Sequence, residues 1–361
     1  MTTPKKYKEK IKKLGAFLNL IKWWLVGIVT VAFVLFSLFY PLNYYLEMPG
    51  GAYDIRNVLT VEEKEDDEAG SYNFVAVTVS QATLAQVAYA WLTPYTEIVS
   101  SEEMTGGSSN EDYLRMNDYY METSQNISTY QALSLAGKQV SLDYMGVYVL
   151  SVSDDSTFKD ILNLADTVTG VNGKTFDSSA DLIAYVADLD LGSEVSVQYT
   201  SNGKEKEATG NIIELSNGKN GIGIGLIDHT KVSSDVNIDF HTDGVGGPSA
   251  GLMFTLDIYD QLTDENLRKG RIIAGTGTIE QDGSVGDIGG AEFKVISAAK
   301  AGAEIFFVPN NPVDEDILKE NPKAMTNYEE ALKTAKNIKT NMKIVPVTSV
   351  QDAIDYLRST D

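Results

Sequence analysis

Ser249 stands in the run Gly244-Val-Gly-Gly-Pro-Ser-Ala-Gly, just ahead of Leu252, Met253 and Leu256 at helical spacing. A hydroxyl there lies near the positive end of a helix dipole, beside backbone N–H groups with no partner inside the helix. Such groups can hold the oxyanion of an acyl transfer, and the hydroxyl can be its nucleophile. A serine that merely caps a helix occupies the same place. The choice turns on a base. The chain has no cysteine, so thiol nucleophiles, disulfides and cysteine-held zinc drop out together, and its only histidines are His229 and His241.

Gly247-x-Ser249-x-Gly251 has the spacing of a nucleophile elbow, whose chain order runs serine, acid, histidine. No histidine follows residue 241, so that order is never completed. His229 or His241 could serve Ser249 in another order. A phosphate cradle is a further reading of the glycine-rich turn, but the Gly-Lys-Ser/Thr ending of a P-loop is missing. There remains a lysine. The stretch Gly283–Gly302 leads through Gly289-Gly290 into a helix with Lys294 in its first turn, in line with Ala298 and Ala301, whereas Lys300 reads as a solvated charge. A lysine is a general base only when neutral, so its pKa must fall from about 10.4 towards 7–8. That costs about 4 kcal/mol, which burial of an ammonium can supply.

The elements that carry these residues read as follows. Residues 1–22 form a basic tail and 23–46 a charge-free run with Trp23, Trp24 at one end and Tyr40, Tyr44, Tyr45 at the other. The first 46 residues carry seven lysines and one acid, a net +6, so against the whole-chain charge of −22 the remainder sums to −28. This predicts a single-pass transmembrane helix with its lysines cytoplasmic and residues 47–361 extracellular, rather than a cleaved signal peptide. So acidic a body repels phosphate backbones, so nucleic acid would need a local basic patch and is not an expected partner. Within 47–138, taken as a juxtamembrane region, Met48–Ile55 reads as a turn, Asn73–Val79 as a strand, Thr83–Leu92 as a helix and 100–112 as a loop; 113–136 contains helical patches.

Residues 139–215 alternate strands with one capped helix, and Asn172-Gly173 marks a hairpin turn. The run Asp-Thr-Val-Thr-Gly-Val-Asn-Gly before a helix resembles a bacterial PDZ domain. The resemblance implies that an extended peptide binds along the edge Gly146, Val147, Tyr148, Val149, opposite Leu182, Tyr185 and Val186. From 216 to 361 strands and helices alternate, ending in a helix capped at Ser349, an α+β arrangement.

GPSAG, then GTGTIEQDGSVGDIGGAEFK, then AGAEIFFVPN, resembles the proteolytic domain of Lon peptidases. The resemblance implies a Ser-Lys pair, with Ser249 the nucleophile, Lys294 the base and Thr276 the threonine that positions it, and it implies the membrane-anchored, PDZ-containing group of that family. The backbone at Pro248 and Ser249 is expected to form the oxyanion site. ATP-driven Lon proteins carry Asp where this chain has Gly246, and no Walker motif occurs in these 361 residues. The expectation is an extracellular, ATP-independent serine endopeptidase acting on exported peptides or ectodomain segments, needing no cofactor, metal or nucleotide. A non-catalytic PDZ adaptor with an inert Lon-like domain is the rival.

Overall fold

The computed structural model describes residues 5–263 and 265–360, so the first four residues of the basic tail lie outside it. The chain divides into two compact units, Met1–Met48 with Thr78–Gly106, and Pro49–Val77 with Gly107–Asp361.

In the first unit the helix Lys5–Phe39 contains a 28-residue stretch, Lys12–Phe39, that is long and apolar enough to cross a membrane and has no buried part. A secretion signal near the N-terminus passes the same test. The helix stops at Phe39, short of the expected Leu46. Pro41 has no N–H to continue the ladder and its ring disfavours a helical residue before it. Leu42 to Leu46 therefore belong to the strand Pro41–Asp54, in which Tyr44 and Tyr45 pair with Ser100 and Val99. The expected turn at Met48–Ile55 is instead the continuation of this strand. Gly51 lies within this strand without positive φ, and a Cβ there would meet the end of the exposed Tyr53 ring at 2.6 Å. The expected loop 100–112 holds the short helix Ser101–Thr105 and the start of the helix Asn110–Leu135.

In the second unit a mainly parallel arrangement is built around Ile272–Gly275. This strand pairs in parallel with Ser71–Phe74 on one side and with Ile305–Phe307 on the other, and Ile305–Pro309 pairs in parallel with Lys343–Val347. Ile305–Pro309 is buried at every position, as a central parallel strand must be. Segments some 200 residues apart in sequence thus share one sheet, and the boundary that set 47–138 aside as a juxtamembrane region does not hold. The helix Gly251–Thr263 is buried from Gly251 to Asp260, apolar on nearly every side because it is covered all round. Asn110–Leu135 and the terminal helix Val350–Ser359 pack on it. On another core layer, Val295 and Ala298 of the helix Ala291–Lys300 meet Val75, Ala274 and Phe306.

A five-stranded antiparallel sheet forms the expected PDZ-like part, in the order Ile224–Ser234, Val140–Val152, Thr167–Val171, Glu194–Ser201, Lys204–Asn211. The Asn172-Gly173 turn has both residues at positive φ, +52° and +72°, as a tight hairpin needs. Leu182 and Val186 of the helix Ser179–Ala187 fill the core against Val147, Val149 and Val168.

Candidate active site

The structure brings Ser249, Lys294 and Thr276 together. Lys294 Nζ lies 3.0 Å from Ser249 Oγ and 3.1 Å from Thr276 Oγ1. Each reaches this point from a different element. Ser249 is in the turn that opens the helix Gly251–Thr263, Thr276 directly follows the strand Ile272–Gly275, and Lys294 is in the first turn of Ala291–Lys300. That last helix begins on Gly290, whose φ of +66° and whose 2.8 Å approach to Val77 Cγ2 both require glycine. Lys294 is 4% exposed and Thr276 0%, whereas Ser249 is half-buried and so open to a ligand.

Hydrogen bonding orients the group. Thr276 Oγ1 donates to the Ser249 carbonyl at 3.1 Å, and Gly277 N–H donates to the same oxygen at 2.9 Å. A hydroxyl has one proton, so facing Nζ the threonine is an acceptor. It therefore holds one N–H of Lys294 and points the rest of the amine at Ser249. We expect Thr276→Val, which keeps the shape but removes this acceptor, to lower kcat about 10²-fold. Thr276→Ser should restore most of the loss. A merely structural role would let valine serve as well as serine.

The helix Asn110–Leu135 moulds the serine turn, which the sequence reading did not anticipate. Gly247 N–H donates to Asn117 O at 2.9 Å, Ser124 Oγ donates to Pro248 O at 3.0 Å, and Ser128 Oγ donates to Gly251 O at 3.0 Å. Asn117, Ser124 and Ser128 fall on one helical face with the buried Met121 between them, so polar residues recurring on a buried face were the available signal. A Cβ at Gly246 would lie 2.6 Å from Asn117 Cβ, which explains why no aspartate stands there: this helix takes the space.

Two expectations are corrected. Pro248 has no N–H and cannot donate to an oxyanion; its carbonyl accepts from Ser124 and from Gly251 N–H. The N–H groups of Ser249 and Ala250 have no hydrogen-bond partner among the described residues and are the donors available at the turn. Second, the edge Gly146–Val149 is not free. The strand Ile224–Ser234 pairs with it, Leu226 opposite Val149, Ile227 opposite Tyr148, Asp228 opposite Val147 and His229 opposite Gly146. Tyr185 turns to the hairpin, where its hydroxyl accepts from Asn172 Nδ2 at 3.2 Å. No peptide can add along that edge while the chain's own strand occupies it.

The histidines are engaged elsewhere. His229 stacks on Tyr148 with centroids 4.0 Å apart, its Nδ1 lies 2.9 Å from Thr167 Oγ1, and burial lowers its pKa. His241 is exposed, and no hydrogen bond joins it to Ser249 among the described residues.

Comparison with known proteins identifies two domains in the chain. Residues 123–212 match the family model of the PDZ domain, and residues 227–358 that of the Lon protease (S16) C-terminal proteolytic domain. The Lon protease of Ureaplasma parvum is 28% identical over 225 residues, covering 57% of this chain and 26% of that protein. That of Campylobacter concisus is 32% identical over 108 residues, covering 30% of this chain and 11% of that protein. The chain thus spans about a quarter or less of these relatives. Among solved structures, the PDZ domain of an SdrC-like protein from Listeria monocytogenes is 35% identical, covering 23% of this chain and 90% of that one, with a TM-score of 0.23. The corresponding Listeria innocua domain is also 35% identical, covering 23% and 93%, with a TM-score of 0.22. The chain carries a PDZ domain and a Lon-type proteolytic domain.

Proposed function

We propose that this chain, with its PDZ and Lon-type proteolytic domains, is a membrane-tethered extracellular serine endopeptidase that works without nucleotide. The observation that carries the reading is the 3.0 Å approach of a buried lysine amine to the Ser249 hydroxyl. A neutral amine donating to Thr276 keeps its lone pair for the serine proton. Lys294 takes that proton as Ser249 Oγ attacks the peptide carbonyl carbon. The N–H groups of Ser249 and Ala250 hold the resulting oxyanion. As the intermediate collapses, the C–N bond breaks and the Lys294 ammonium returns the proton to the leaving amine. A water that gives its proton to Lys294 then hydrolyses the acyl-enzyme. A site only 4% exposed penalises the charged amine and so favours the form this step needs.

Substrates are proposed to be exported peptides or ectodomain segments, presented by the PDZ domain at a surface other than Gly146–Val149. The tether is the helix Lys5–Phe39, with its lysines on the cytoplasmic side. A fluorophosphonate probe should phosphonylate Ser249 stoichiometrically with loss of fluoride, as mapped by mass spectrometry. Labelling should fade as pH falls, because the protonated amine cannot accept the serine proton. ATP and a chelator should leave it unchanged. A probe adduct on any other residue, or labelling that is flat down to acid pH, would overturn the assignment.

A further inference from the structure

The helix Leu84–Leu92, LAQVAYAWL, contains no charged residue and buries none of its side chains. Trp91 is 86% exposed and Leu92 85%, and Leu84 and Tyr89 also face outward. A contiguous apolar surface of this kind marks an interaction site. The helix is nevertheless well fixed. Thr83 and Gln86 close a capping box, Gln86 Oε1 accepting from Thr83 N–H at 2.8 Å, and Thr93 Oγ1 donates to Tyr89 O at 2.6 Å. Its order is maintained with the apolar side chains left uncovered.

Its neighbourhood says what covers them. The helix belongs to the same compact unit as Lys5–Phe39 and packs against it. Gln81 Nε2 donates to Leu42 O at 3.2 Å, which ties the approach to this helix to the point just past Phe39. The uncovered surface therefore continues the all-apolar surface of the candidate span at the end where the chain leaves it. Nine residues rise only about 14 Å, too short to cross a bilayer. Trp and Tyr with an apolar body and a polar tip suit the headgroup level.

We propose that Leu84–Leu92 lies in the surface of the lipid bilayer, a second membrane contact beside the spanning helix. The inference rests on the membrane-tether reading above. An interfacial helix next to a span fixes how the chain meets the membrane, which a single span leaves free to swivel.

The chain has three tryptophans, so each contact can be read separately. The full chain is placed in phosphatidylcholine–phosphatidylglycerol vesicles in two forms. W23F/W24F leaves Trp91 as the sole emitter, and W91F leaves Trp23 and Trp24. Trp91 should be blue-shifted and lose more than half its emission when the lipid is brominated near the headgroup end of its chains, and keep most of it when the bromines are near the chain end. An aqueous, unquenched Trp91 alongside quenched Trp23 and Trp24 overturns the inference while leaving the tether intact. No quenching in either form overturns the tether and this contact with it. A Trp91 shift that resists brominated lipid and follows the protein-to-lipid ratio assigns the surface to a second copy of the chain and overturns lipid as its occupant.

Discussion

Lys294→Met, which keeps the buried volume but removes the amine, is expected to lower kcat/KM by about 10³-fold or more without unfolding the chain. Lys294→Arg should be as inactive, because a guanidinium stays charged and cannot accept the serine proton. Ser249→Ala should fall to the same floor. In the proposed mechanism the two groups act on one proton, so the double variant should lose no more than either single one. Cleavage of an unstructured peptide, mapped by its cut ends, is the measurement, with thermal melting to show that each variant folds. Lys294→Met retaining a tenth of the activity would end the lysine-base mechanism. Losses that multiply in the double variant would show that Ser249 and Lys294 serve separate steps.

Removing Arg268 should produce the largest loss of stability, about 3–5 kcal/mol for Arg268→Ala. This fully buried guanidinium grips Asp66 with both arms, at 2.6 and 2.7 Å, and its Nε lies 3.8 Å from Asp260 Oδ2. Tyr72 donates to Asp260 at 3.1 Å. Burial works against ionised Asp66, but the hydrogen bonds and charge of Arg268 bring its pKa below the ordinary value. Without the arginine, Asp66 loses its two-armed partner and the buried Asp257 and Asp260 lose the cation nearest them. Asp257 in the same cluster is pushed by burial from 3.8 up to about 7. Because its folded value lies above its unfolded one, it costs stability progressively as pH rises from about 4 to about 7, approaching about 4 kcal/mol, and the cost stays constant beyond that. Asp257→Asn should therefore match the parent chain near pH 4 and melt higher at pH 8. Denaturant unfolding at both pH values measures this. Equal differences at the two pH values would show that Asp257 is not the titrating group.

What could be read in advance was local. GPSAG and the lysine helix are short patterns whose glycines and small residues point to Ser249 and Lys294, and the resemblance to the Lon proteolytic domain adds Thr276. The cap at Ser349, whose side chain accepts from Asp352 N–H, was likewise visible from two residues. The errors were of another kind. Nothing near Ser71–Val77 signals that it lies beside Ile272–Gly275, because strand pairing carries no mark in sequence when 200 residues intervene. The same ignorance made Gly146–Val149 look like an open edge, when the chain itself supplies the missing strand 75 to 85 residues later. Pro41 did carry a readable signal, and the absence of charge through Leu46 masked it. The glycines at 50 and 51 read as a turn in sequence, although both lie within the strand Pro41–Asp54 and neither has positive φ.

Thr123 and Ser124 are consecutive, yet Thr123 Oγ1 donates to Asp228 O in the PDZ-side sheet at 2.9 Å while Ser124 holds Pro248. Asn126 Nδ2 reaches Thr230 O at 2.9 Å on the first side, and Ser128 holds Gly251 on the second. One rod is thus the selvedge of both fabrics, and no seam exists along which to cut. A clone started at residue 123 would lose the Asn117 carbonyl that accepts from Gly247 N–H, and one started at 139 would also lose the Ser124 and Ser128 hydroxyls that hold the carbonyls of the serine turn. Any working fragment has to begin upstream of Asn110.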